Sequence, residues 1–292
     1  MKLGFVGSYG TAQQVLTMGQ EAEAHGWDGF FTWDGISVGP MDTWDPWTLL
    51  GALAVSTERI RLGAMIFPLA RRRPWKVARE SITVDHLSDG RLVMPVGLGA
   101  VDDGGFSRVS GEAATARERA ERLDEALAIL ERAWTGEPFS YSGTHHELTD
   151  LVFRPRPVQQ PRVPVWVVGS WLSERSMGRA ARWDGLMPQR RGDPLRALEP
   201  EEVRAASAWV QERRARLAVD EPDRYLGPYD VVVEGVLPED PEEAVERLQA
   251  FGDAGATWWI ESRWDLERDT PEVLLDRIRQ GPPAIPPGAE AV

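Results

Sequence analysis

Short apolar runs rich in Val, Ile, Phe and Trp alternate along this chain with longer stretches in which Leu and Ala recur every three or four positions. The first pattern is that of buried strands, the second that of amphipathic helices. Eight runs qualify as strands, over residues 3–6, 29–33, 61–66, 92–96, 165–168, 185–188, 230–234 and 257–261. The clearest helical stretches are 11–25, 75–87, 116–134, 201–217 and 241–254, and Gly26, Gly90, Gly136 and Gly255 stand where a helix must stop. This repetition predicts βα units. Eight parallel strands joined by helical crossovers close into an α/β fold of the (β/α)8 TIM-barrel type, whereas a doubly wound sheet usually stops at about five or six.

One segment breaks the period. Residues 138–164, with Phe139-Ser-Tyr-Ser-Gly-Thr-His-His-Glu-Leu148, read as a hairpin turning at Gly143 followed by an extended Pro-rich return, an insertion between the fourth and fifth βα units. The reading is a single barrel domain over residues 1–280 and a loose Pro-rich tail over 281–292. A net charge of -13 argues against a nucleic-acid partner, and the chain has no cysteine, which excludes disulfides, thiolate nucleophiles and cysteine-based metal centres. Redox chemistry here requires a bound cofactor; no metal site is expected. With no basic leader and no long apolar stretch, the expectation is a cytoplasmic protein without a membrane partner.

The wording of several segments is similar to the luciferase-like flavin-dependent oxidoreductases. The carriers are Asp45-Pro46-Trp47, Thr57-Glu-Arg-Ile-Arg-Leu-Gly63, Arg72-Arg73-Pro74, Asp85-His-Leu-Ser-Asp-Gly-Arg-Leu92, Val96-Gly-Leu-Gly99, Trp134-Thr-Gly-Glu-Pro138, Arg154-Pro-Arg-Pro-Val158 and Pro164-Val-Trp-Val167, in the family's order. The resemblance implies a flavin mononucleotide (FMN) or the deazaflavin coenzyme F420 at the C-terminal mouth, a small-molecule substrate and a homodimer. If FMN is used, it also implies a separate flavin reductase. It places a non-prolyl cis peptide at Ala64-Met65 behind the cofactor ring, and Gly97 beside it. The cofactor phosphate would lie where Gly169-Ser170-Trp171 leads into a helix near Ser173, with Arg175 and Ser176 assisting.

Where many relatives carry Asp-His after the second strand, this chain has Asp34-Gly35, and none of its four histidines ends a predicted strand. Asp34 and Glu261 are therefore the candidate proton-handling residues, and Trp33, Arg190, Glu234 and Arg263 the candidate substrate contacts. The clusters Arg71-Arg72-Arg73 and Arg190-Arg191 are candidate grips for an anionic tail, with at least one member of each on a solvated face. Of Trp258 and Trp259, adjacent in a strand, only one can face inward. The absent histidine tilts the reading towards oxygenation by reduced FMN rather than hydride transfer with F420. Two other readings stay open: a glycoside hydrolase pairing Glu234 with Glu261, and a flavin-binding barrel without catalysis. Gly97-Leu-Gly99 does not make a dinucleotide fingerprint, because the next helix begins too late.

Overall fold

A computed structural model of the chain describes residues 1–100, 102–192, 196–225 and 227–284. Its strands are β1 (Lys2–Val6), β2 (Gly29–Thr32), β3 (Arg61–Ala64), β4 (Phe67–Pro68), β5 (Met94–Gly97), β6 (Phe139–Ser142), β7 (Glu147–Leu151), β8 (Val165–Trp171), β9 (Gly185–Arg190), β10 (Asp230–Gly235) and β11 (Trp258–Glu261). The helices are α1 (Ala12–Ala24), α2 (Pro46–Ser56), α3 (Pro74–Leu87), α4 (Gly104–Ser107), α5 (Ala116–Ala133), α6 (Glu174–Ala180), α7 (Pro200–Leu217), α8 (Pro222–Tyr225), α9 (Pro241–Asp253) and α10 (Pro271–Arg279). All eight predicted strands and all five predicted helices are present, with ends shifted by a few residues. Proline opens α2, α3, α7, α9 and α10, where its missing N–H has no helical partner to lose. Among the described residues no helix is long and apolar enough to cross a membrane. Most of the predicted Pro-rich tail, residues 285–292, lies outside the described residues.

The chain divides into two compact units, residues 1–6, 21–29 and 166–292 in the first, and residues 7–20 and 30–165 in the second. In the first unit the strands run β1-β11-β10-β9-β8, every pair parallel. Register sorts their side chains onto two faces. Trp258 meets Trp166 at 5.2 Å on one face, while Trp259 meets Phe251 of α9 at 5.2 Å on the other, helix-covered face. The two neighbouring indoles thus point oppositely. Because Val232 pairs with Trp258 and Val168 with Met187, the face bearing Trp258 also carries Val168, Ser170, Met187, Gln189, Val232, Glu234 and Ile260. Beside the aromatic rings at the start of the strands it also holds Lys2 and Asp230, and its C-terminal end carries Gln189 and Glu234.

In the second unit β4 runs parallel to β5, and an isolated parallel bridge links Leu62 of β3 to Leu92, two residues before β5. The third predicted run is not one strand: β3 stops at Ala64 and β4 resumes at Phe67. The non-prolyl cis bond between them is Met65-Ile66, one residue beyond the expected Ala64-Met65. The predicted hairpin forms from antiparallel β6 and β7. Its return is anchored where the buried Asp85 carboxylate accepts Gln159 N at 3.1 Å and Gln159 Nε2 at 2.7 Å.

The hairpin tip is held by Glu125 of α5, whose carboxylate accepts the backbone N–H of Thr144 at 2.6 Å and of His145 at 3.1 Å, and meets the His146 ring at 3.1 Å. Burial pushes this carboxyl up, but these hydrogen bonds outweigh it and hold it below its ordinary value of 4.5. A depressed carboxyl contributes stability above the ordinary value that is lost as pH falls through it and on through the native one. Glu125→Ala is expected to lower the protection of the Thr144 and His145 amides near neutral pH, and acid to lower that protection, relative to intrinsic rates, in the unchanged chain. Exchange unaltered in the variant would show that the strands alone hold the tip.

Candidate active site

The C-terminal ends of β9, β10 and β11 open onto a cavity of about 640 Å³ in the first unit, lined by Met187, Gln189, Glu234, Ser262 and Trp264 among others. C-terminal strand ends are where this kind of α/β architecture places its chemistry. Glu234 is half-buried, and among the described residues no cation lies within ion-pair distance of it. The Trp264 indole N–H points to Oε1 at 3.5 Å, and the Ser262 hydroxyl donates to the same carboxylate. Burial pushes the Glu234 carboxyl up, and the bonds from Ser262 and Trp264 only partly offset this. A raised carboxyl without a cation partner among the described residues, in a cavity at strand ends, is the arrangement expected of a proton-transferring group.

The other expected proton carrier is placed differently. Glu261 pairs in register with Gly235, so it lies on the helix-covered face with Trp259, opposite Glu234. Its side chain is fully buried and held by Arg263 at 2.9 Å and by Arg277 of α10 at 3.0 Å. A carboxylate clamped between two guanidinium groups behind the sheet positions β11 and α10; it does not face the cavity. Arg263 is therefore occupied as well, with Asp269 a further 3.8 Å away. Arg190 forms a two-pronged pair with Glu202 of α7. The structure thus brings neither arginine to Glu234 as a substrate grip, and it sets the two glutamates of the hydrolase reading on opposite faces.

Gly169 is buried on the helix side of β8, where an added Cβ would lie 2.4 Å from Leu186 Cδ1 and 2.9 Å from Met177 Sδ. Its small size is demanded by packing under α6 rather than by room for a ligand. The Ser170 N–H already donates to Ser176 Oγ at 2.9 Å, so an anion there would have to displace that bond. Trp171 is half-buried and Arg175 exposed.

In the second unit, Asp34 is the centre of a buried ion-pair cluster. Its carboxylate accepts Arg71 Nη2 at 2.8 Å and Arg72 Nε and Nη2 at 2.7 and 2.9 Å, with no part of the side chain exposed. Arg71 also pairs with Asp103, which caps α4 and accepts the N–H of Ser37 at 3.0 Å and of Gly105 at 2.9 Å. Burial pushes Asp103 up, yet the backbone donors of Gly105, Ser37 and Ile36, with Arg71, hold its carboxyl below the ordinary range. Arg71 and Arg72 are consumed in tying together the loops after β2 and β5, so the expected anion grip is corrected here, and Asp34 is spent in the same way. Ala64, Met65 and Gly97 are buried at the ends of β3 and β5.

The position where relatives carry histidine is closed by packing. A Cβ on Gly35 would lie 2.3 Å from the Trp33 ring, whose Nε1 donates to Ser8 O at 2.8 Å. The indole fills the space a longer side chain would need. Gly35→His is expected to cost about 1–3 kcal/mol of stability, most of it recovered when Trp33→Ala is added. Urea unfolding of both variants measures this, and an unaffected single variant would contradict the packing account.

Gln189, Ser262 and Met187 were not singled out from sequence. Period-two alternation puts Gln189 on the same face as Glu234, a signal legible once the register is known.

Comparison with known proteins gives consistent matches. A family model described as luciferase-like monooxygenase matches residues 3–278. The chain is 32% identical over 176 residues to an F420-dependent glucose-6-phosphate dehydrogenase of Microbacterium testaceum, covering 58% of this chain and 50% of that protein. It is 29% identical over 140 residues to an FMNH2-dependent dimethylsulfone monooxygenase of Pseudomonas putida, covering 47% and 37%. These matches thus span half or less of the curated relatives' length. Among solved structures, an F420-dependent secondary alcohol dehydrogenase superposes with a TM-score of 0.77 at 17% identity, covering 98% of this chain and 99% of that one. Monooxygenase RslO1 from Streptomyces bottropensis does so with 0.77 at 20% identity, covering 96% and 97%. At such identities the likeness establishes the fold, an α/β barrel of the TIM type.

Proposed function

The chain belongs to the luciferase-like monooxygenase family, and from that premise we propose that it is a deazaflavin-dependent oxidoreductase in which Glu234 exchanges the proton that accompanies hydride transfer. The observation that supports this reading is the Glu234 carboxyl itself, raised by burial and without a cation partner among the described residues. The absence of a histidine at Gly35 favours oxygenation by FMN only while no other proton carrier is in view. Glu234 supplies one from a different strand, which removes that reason.

The residues present fit a flavin-like ring. A cavity of about 640 Å³ lies within the usual span for small-molecule sites. Met187 and Val232 offer apolar surface, and Gln189 and Ser262 offer hydrogen-bonding groups beside Glu234. When bound, the coenzyme supplies the hydride chemistry that side chains lack. The Trp264 indole covers one side of the carboxyl and limits its access to water, while Ser262 fixes its orientation. Asp34 and Glu261, each locked between two arginines, act as positioning residues within their own units.

Titration of the purified chain with coenzyme F420 and, separately, with FMN, followed by fluorescence and bound fraction, tests the assignment. The expected result is tight binding of F420 and weaker binding of FMN. Tight binding of FMN alone, with oxygen consumption once it is reduced, would replace hydride transfer by oxygenation. Binding of neither would overturn the oxidoreductase reading.

A further inference from the structure

The Glu234 cavity carries one carboxylate that no cation holds among the described residues. Its described lining holds three carboxylates, Glu234, Asp265 and Asp269, against one guanidinium, that of Arg196. Two of the three are spent within the loop that follows β11. Asp269 accepts Asp265 N at 2.9 Å and lies 3.8 Å from Arg263, and Asp265 accepts the N–H of Glu267 at 3.0 Å and of Arg268 at 3.2 Å. Among the described residues Glu234 has the hydroxyl of Ser262 and a long contact to the Trp264 indole. That indole is 38% exposed at the rim.

An anionic substrate brought here would meet like charge in a partly desolvated cavity, and a neutral one would leave the carboxylate without compensation. A cation would satisfy it, while the Trp264 indole meets the carboxylate through its N–H edge at 3.5 Å. We infer that the substrate of this site is an amine, bound as its ammonium form against the Glu234 carboxylate, with the Trp264 indole at the rim, and that Glu234 takes a proton from that nitrogen. The transfer turns R–NH3+ and a carboxylate into R–NH2 and a carboxylic acid. One N–H bond breaks, one O–H bond forms, and the freed lone pair on nitrogen activates the adjacent C–H for oxidation. Two charges become none, so burial, which penalises both charged partners, favours the transfer. This rests on the oxidoreductase reading above and adds the substrate class.

Calorimetric titration of the full chain with benzylamine, benzyl alcohol and benzoate near neutral pH, with and without F420, tests it. Benzylamine is expected to bind at least about ten-fold tighter than benzyl alcohol, and benzoate most weakly. Glu234→Gln should remove the preference, Glu234→Asp should keep part of it, and thermal melts establish that both variants fold. Equal or tighter binding of benzyl alcohol or benzoate, no measurable binding of benzylamine, or a preference unchanged in Glu234→Gln would each overturn the inference. If F420 still binds in those cases, only the amine assignment falls; if F420 does not bind, the oxidoreductase reading falls with it.

Discussion

Glu234→Gln is expected to lower turnover by about 10²–10⁴-fold, the usual contribution of a positioned general acid or base, while raising the thermal midpoint near neutral pH. The two effects share a cause. A carboxyl whose native proton affinity is raised binds its proton more tightly folded than unfolded, so above the ordinary value of 4.5 the unfolded state ionises freely while the native state resists. The native protein therefore loses stability relative to the glutamine variant as pH rises from there up to the native value, and the difference then stays constant. Below the ordinary value the two should melt alike. Calorimetric melts across this range, beside steady-state rates, check both parts. A variant that keeps its rate, or melts lower near neutral pH, would remove Glu234 from the chemistry.

Asp34→Ala is expected to destabilise the protein by about 3–5 kcal/mol, the usual consequence of removing one partner from a buried ion pair. The change leaves the guanidinium groups of Arg71 and Arg72 buried without the carboxylate that both now contact. Arg71 keeps Asp103, and its ring neighbour Phe106 lies 5.3 Å away. Arg72 keeps only the more distant Asp45, at 3.7 Å. The loop after β2 should loosen first, because Ile36 and Ser37 are held through Asp103, which depends on the same arginine. Urea unfolding measures the total and amide exchange at Ile36 and Ser37 the local part. A loss below about 1 kcal/mol would mean that the cluster is solvated and contributes as a surface pair does.

The strands were legible because burial on both faces writes them as apolar runs such as Phe30-Phe31 and Val231-Val232-Val233, and the helices because their apolar positions recur at helical spacing. The faces were less legible. Glu234 and Glu261 each sit near the C-terminal end of a strand in the sequence, but register between β10 and β11 sets them on opposite sides, and nothing local to either residue encodes that register. The arginines were misread for a related reason. A run of three looks like an anion grip, whereas the partners that occupy two of them, Asp34 and Asp103, are more than thirty residues away. Gly35 shows the opposite case: the missing histidine was plain in the sequence, and its cause, the Trp33 ring lying across that position, required the fold.

The most direct test of the central claim is a crystal structure of the chain with coenzyme F420 bound. The account predicts the deazaflavin ring over Met187 and Gln189, with its reactive edge towards Glu234 and the Trp264 indole beside it. A ring bound elsewhere, or one turned so that Glu234 is out of hydrogen-bond reach of any substrate placed against it, would contradict the account.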